Sequence, residues 1–246
     1  MVAANGPSTA SRRAFRGGLP RQDRACGFSP LRPLGNAERG KSCNPWDMNR
    51  WGVVALAYAL LGTMAVALAF FWRHTSPWVH PAPWLSLADG APREGFSLVL
   101  GVALGGLVVV ATRLLVGRVE FARRLHSELR PLARSMSSTD ICLLAIFSAL
   151  GEEVLFRGLL QPWLGLFAQA AIFGGLHQVG GPSRWVWMSW ATLMGLLLGC
   201  MYALTGSLVG PIAAHALVNG VNLFFLKRYD PRPAQRRMGG LLGIKS

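Results

Sequence analysis

Apolar residues run without a charge from Trp51 to Trp72, 22 positions bounded by Arg50 and Arg73. A helix crosses a bilayer in about 20 residues, and tryptophans at both ends suit the two interfaces. The proline-bearing stretch 73–94 reads as a non-helical connector. A second span follows over Phe96–Gly117, with Gly101 and Gly105 spaced for close helix contact. Residues 118–139 break the pattern. They carry Arg118, Arg123, Arg124, Arg130 and Arg134, while Phe121, Leu125 and Leu129 recur at helical spacing. That combination predicts an amphipathic helix lying on an anionic leaflet.

A third span runs from Asp140 to about Leu160, where Pro162 ends or bends it. A short fourth, rich in Ala and Gly, covers Trp163 to about Val179. Trp185, Trp187 and Trp190 open a fifth, to about Leu204, with Gly195 and Gly199 on one face. The sixth has Pro211 near its start and runs to Leu226. The fold class expected is therefore all-α: a polytopic transmembrane helix bundle of about six spanning helices plus an interfacial helix. No internal repeat of the kind found in many transporters is present.

Composition agrees with lipid as solvent: 52% of the 246 residues are hydrophobic and 15% are charged, against about 25% charged in soluble domains. The net charge of +14 fits basic loops facing anionic lipid, and no nucleic-acid-binding motif accompanies the arginines. Positive charge collects at the N-terminal flank, in 118–139, near Arg184 and in the tail 229–246. This predicts both termini on the cytoplasmic side, in the cell membrane. Residues 1–49 hold eight Lys/Arg and three acids without apolar periodicity. They read as a disordered basic tail, an organellar leader, or a stretch upstream of a true start at Met48. The domain reading is then 1–49 tail, 50–228 transmembrane domain and 229–246 basic tail. Cys26, Cys43, Cys142 and Cys200 show no metal or disulfide spacing.

The spans hold few ionisable or strongly polar groups: Glu152, Glu153, Arg157, His177, His215 and Asn219. Charged groups at that depth cost a few kcal/mol each and persist when paired, hydrated or functional. Glu153 and Arg157 share a helix face at i, i+4 and can pair; Glu152 points about 100° away. His215 and Asn219 share a face, as do Phe173 and His177. A carboxylate in a low-dielectric pocket can take a proton from water, imidazoles can share it, and an amide can donate to an oxyanion. These are parts of a hydrolase that uses water directly. Each piece also has a bland reading: helix-packing histidines, a structural Glu–Arg pair, an Asn that glues helices. Convergence of all of them on three spans favours a site. Two His and one Glu could also hold zinc, although there is no HExxH.

These residues resemble the CAAX-protease and bacteriocin-processing (CPBP, or ABI) family of intramembrane proteases, which includes the type II CAAX prenyl endopeptidases. Its Glu-Glu-xxx-Arg motif is matched by Glu152, Glu153 and Arg157, its Phe-xxx-His by Phe173 and His177, and its His-xxx-Asn by His215 and Asn219. The resemblance covers about residues 140–226. It implies an endopeptidase acting on a membrane-embedded or membrane-tethered protein or peptide, for which a prenylated CAAX-type protein is one candidate. It implies Glu152 as general base, His177 as its proton-transfer partner, His215 and Asn219 as oxyanion donors, and Glu153, Arg157 and Phe173 as support. The reading favoured here requires no cofactor; with zinc, the ligands would be Glu152, His177 and His215. The competing classes are a non-catalytic immunity or scaffold protein of the same fold and a proton-coupled transporter.

Overall fold

The structure is a computed structural model, and it describes residues 50–231. The expectations placed on 1–49 and most of 229–246, including Met48, Cys26 and Cys43, lie outside the described residues.

Among the described residues seven α-helices follow one another: α1 Arg50–Phe71, α2 Ala91–Arg118, α3 Glu120–Arg134, α4 Ser138–Glu153, α5 Gln161–Leu176, α6 Arg184–Thr205 and α7 Val209–Arg228. Between α4 and α5 the chain stays helical but widens into a π-helical segment, Val154–Leu160. Among the described residues no strand forms beyond an isolated bridge between Val79 and Ser207. The all-α bundle is as expected.

The count of spans is sharper than the hydropathy pattern suggested. Among the described residues four helices, α1, α2, α6 and α7, are long and apolar enough to cross a membrane, which makes this an integral membrane protein. The expected third and fourth spans are not independent rods. They are one helical run, 138–176, interrupted by the π segment and by a kink at Gly165, whose φ of 82° departs from helix. Its parts α4 and α5 have 16 residues each, about 24 Å at 1.5 Å per residue and short of the roughly 30 Å hydrocarbon core. Pro162 sits in the first turn of α5, where its missing N–H costs nothing.

α4 begins at a capping box: Ser137 Oγ accepts from the Asp140 N–H at 3.0 Å and Asp140 Oδ2 accepts from the Ser137 N–H at 2.7 Å. It then passes between α1 and α7. Small residues set these crossings, since in lipid close van der Waals packing replaces the hydrophobic effect between helices. A Cβ on Gly151 would stand 2.5 Å from the Tyr58 carbonyl oxygen of α1. Gly101 and Gly105 of α2 press on Gly210 and Ala214 of α7, and Gly195 of α6 presses on Ala170 of α5.

The two ends of the bundle are built differently. At one end the 72–90 connector folds back on the α6–α7 turn. Leu208 N–H donates to Trp78 O, His80 N–H to Gly206 O, Trp84 N–H to Ala203 O, and the Tyr202 hydroxyl to Pro77 O. At the other end α3 lies across α7. His126 Nε2–H and Arg130 Nε–H donate to Tyr229 O at 3.1 and 3.0 Å, and Arg130 pairs with Asp230 at 2.9 Å. Ser183 in the α5–α6 turn donates to Glu128 at 2.9 Å. Helix α3, the turn before Arg184 and Tyr229–Asp230 thus gather at one end.

Candidate functional site

The i, i+4 pairing expected of Glu153 and Arg157 forms, with Nη1 donating to Oε1 at 2.9 Å and both side chains fully buried. The guanidinium also donates from Nη2 to Gly195 O at 3.3 Å and lies over the Phe173 ring, 4.6 Å from its centroid. Gly195 can offer that carbonyl because it has no side chain to hold the neighbouring helix away; Gln169 Nε2 reaches the same oxygen at 3.1 Å. Gln161 Nε2 likewise donates to Gly199 O at 2.9 Å. So the small-residue face of α6 serves two ends: close packing and a row of acceptors for buried side chains.

His215 enters from α7. Its Nδ1 is 2.6 Å from Glu153 Oε1. A carboxylate accepts, so Nδ1 donates, and Nε2 is turned the other way. Nε2 stands 3.8 Å from Glu152 Oε2. His177, at the C-terminal end of α5, is held in the same fashion: Nδ1–H donates to Phe173 O at 2.7 Å, and Nε2 lies 3.7 Å from the same Glu152 oxygen. The Phe173 ring, 4.3 Å from the His177 ring, backs it. Three side chains from α4, α5 and α7 therefore meet at one point, each with a lone pair facing in. Glu152 Oε2 is buried and has no hydrogen-bond partner. Three converging acceptors repel unless hydrogen or a cation stands among them, and a water molecule, able to donate twice, suits that gap.

Zinc is the other occupant the donors bring to mind. Their types fit, and each imidazole has its second nitrogen oriented as metal-ligating histidines do. The spacing is loose. Neighbouring ligands on a tetrahedral zinc with bonds of 2.0–2.1 Å stand about 3.3 Å apart, against 3.7 and 3.8 Å here. Among the described residues no three His, Cys, Asp or Glu side chains have closed ligand geometry. A metal would need the three side chains to draw together by a few tenths of an ångström.

Asn219 lies one turn beyond His215, and its Nδ2 donates to Ser148 Oγ of α4 at 3.1 Å. One amide hydrogen remains, since Asn carries two. Glu152, His177, His215 and Asn219 all line one cavity of about 360 Å³. Its remaining walls are mostly apolar, from α2, α3, α6 and α7. Phe121, Leu125 and Leu129, the apolar stripe read from the sequence as the face of an interfacial helix, also line this cavity, so α3 forms a roof over it.

Two participants were not picked out from the sequence. Tyr58, in the middle of α1, lines the cavity and its hydroxyl interacts with Glu152. Ser148 precedes Glu152 by one turn and anchors Asn219. The available signals were a tyrosine deep in an apolar span and the i, i+4 step from Ser148 to Glu152; neither rises above the background of polar residues in membrane helices.

Residues 135–221 match the family model described as Type II CAAX prenyl endopeptidase Rce1-like. Over 85 residues the chain is 40% identical to the "Uncharacterized protein YpbD" of Bacillus subtilis (strain 168), a match spanning 35% of this chain and 44% of that protein. The chain thus matches less than half the length of this curated relative. No solved structure matches.

Proposed function

We propose that this protein is a CAAX-type intramembrane protease that hydrolyses a peptide bond of a membrane-embedded or membrane-tethered protein with water activated by Glu152, a reading supported by the match of residues 135–221 to the Rce1-like model. The observation that carries this reading is the meeting of Glu152 Oε2 with the two histidine Nε2 atoms at 3.7 and 3.8 Å.

Water held there gives a proton to Glu152 as its oxygen bonds to the scissile carbonyl carbon. The tetrahedral oxyanion takes a hydrogen bond from the free Asn219 N–H and from His215. With Nδ1–H committed to Glu153, His215 donates from Nε2 only when it holds a second proton as imidazolium, for which Glu153, ionised throughout, is the counter-charge. As the C–N bond breaks, the proton passes from Glu152, directly or over His177 Nε2, to the departing amine. Glu153 acts through His215, holding its ring, and Arg157 holds Glu153. The apolar walls under α3 suit an apolar segment or lipid-like modification beside the cut bond; a prenylated CAAX-type protein satisfies that description. Should zinc be bound, His177, His215 and Glu152 would hold it and it would supply Lewis-acid polarisation of the carbonyl.

The test is comparative proteomics of membranes containing wild-type, Glu152→Gln and His177→Ala protein, followed by cleavage of the identified substrate in vesicles. Loss of trimming in both variants, at equal membrane abundance, is expected. Wild-type rates in both would overturn the assignment. Activity that survives a strong chelator, in protein free of metal by elemental analysis, supports the metal-free form; loss on chelation with recovery on adding zinc overturns it.

A further inference from the structure

The cavity has two kinds of wall. Most of it is hydrocarbon, but one edge is not. Along α7, His215, Asn219 and Asn222 follow at steps of four and three, hence on one face, and all three line the cavity. Ser148 of α4 flanks this edge through its bond to Asn219, and Thr112 and His126 stand where it runs out towards α3. Two buried oxygens on it lack a hydrogen-bond partner: Glu152 Oε2 at the catalytic end and Asn222 Oδ1 towards the roof. Leaving such atoms dry costs about 1–3 kcal/mol each, and a polar site with two to four partners is where a protein keeps water.

Resting on the proposed water-using hydrolysis, we propose that this edge is a water file, with Asn222 as the site that admits water from the α3 end and Asn219 and Ser148 handing it on to Glu152. The geometry solves a problem the apolar walls create. A substrate that fills an apolar cavity expels the water its own cleavage consumes. A polar strip along one wall keeps a wet path open beside the bound chain, and each turnover can be resupplied without the substrate leaving. Asn222 is in this scheme a positioning residue for water. It touches neither the scissile bond nor Glu152.

The test compares Asn222→Leu, Asn222→Gln and Glu152→Gln in vesicles, with substrate identified as above. Asn222→Leu should lower kcat by about tenfold or more with KM unchanged, and Asn222→Gln should recover most of the loss. Radiolytic hydroxyl-radical labelling gives a readout that packing alone does not move. Labelling of Tyr58 and Phe173 should fall in Asn222→Leu and persist in Asn222→Gln, at unchanged thermal midpoint. Wild-type kcat and labelling in Asn222→Leu, with Glu152→Gln inactive, would overturn the file and leave the hydrolase standing. An active Glu152→Gln would remove the hydrolase itself.

Discussion

Glu153 is fully buried, and its Oε1 takes Arg157 at 2.9 Å and His215 at 2.6 Å. Glu152, one residue earlier, turns to the cavity, where its Oε2 has only the two distant Nε2 atoms and no hydrogen-bond donor. The step of about 100° between successive helical residues thus separates an ion-paired side of α4, the dry side, from a cavity side that is the wet side of the proposed reaction. In the proposed reaction, catalysis and architecture share one histidine: His215 binds Glu153 through one nitrogen and faces Glu152 with the other.

The comparison breaks most visibly at Glu152. Glu152→Gln keeps size and hydrogen-bonding capacity but cannot take a proton. Loss of a positioned base typically removes 10² to 10⁴ in rate, so turnover should fall by about that factor while the thermal midpoint in detergent stays near wild type. A matching fall in stability would put Glu152 on the dry side after all. On that dry side the expectation reverses. Arg157→Met strips a fully buried carboxylate of its partner, which typically costs about 3–5 kcal/mol. It should unfold or deplete the protein in the membrane, and adding Glu153→Gln should return much of the loss. Equal abundance of Arg157→Met and wild type would show the pair to be dispensable.

Between the two stands the crossing of α1 on α4. A methyl group at Gly151 would meet the Tyr58 carbonyl oxygen at 2.5 Å, backbone that cannot rotate away. Gly151→Ala should therefore cost about 1–3 kcal/mol through overpacking, and it should also move Tyr58 off Glu152. A drop in kcat larger than that of Tyr58→Phe would show that the crossing, and not only the hydroxyl, sets the wet side.

How far the sequence foretells this depends on what each feature rests on. The spans over α1, α2, α6 and α7 are legible because long apolar runs leave few alternatives in lipid. The Glu153–Arg157 pair and the shared face of His215 and Asn219 are legible because helical spacing is local. The π segment after Glu153 is not: Val154–Leu160 has neither proline nor unusual composition inside it, and the wider turn follows from tertiary packing. Nor is the roof. Phe121, Leu125 and Leu129 make the same stripe whether or not a cavity lies beneath them, and the ties that seat α3 there, from His126 and Arg130 to Tyr229 and from Glu128 to Ser183, are tertiary.

Those ties give the smallest effect and the finest probe. His126, buried on α3, donates to Tyr229 O and lies edge-on to Phe225 and Tyr229. Burial pushes its pKa below the usual 6.5, against the carbonyl bond to Tyr229, which raises it; Arg130 lowers it a little further and Asp230 opposes. The docked form therefore binds its proton less tightly than a released one. Above about pH 6.5 His126 of a released α3 is neutral, and docking is unaffected by its titration. As pH falls through 6.5, the released helix takes a proton that the docked one refuses, and docking weakens until the lower folded value is passed. Hydrogen exchange in α3 should then quicken below pH 6.5 while α4 amides near Glu153 keep their protection. His126→Gln, which can still donate to Tyr229, should abolish the pH step in α3. A step that persists in that variant would assign it to another group and detach the roof from His126.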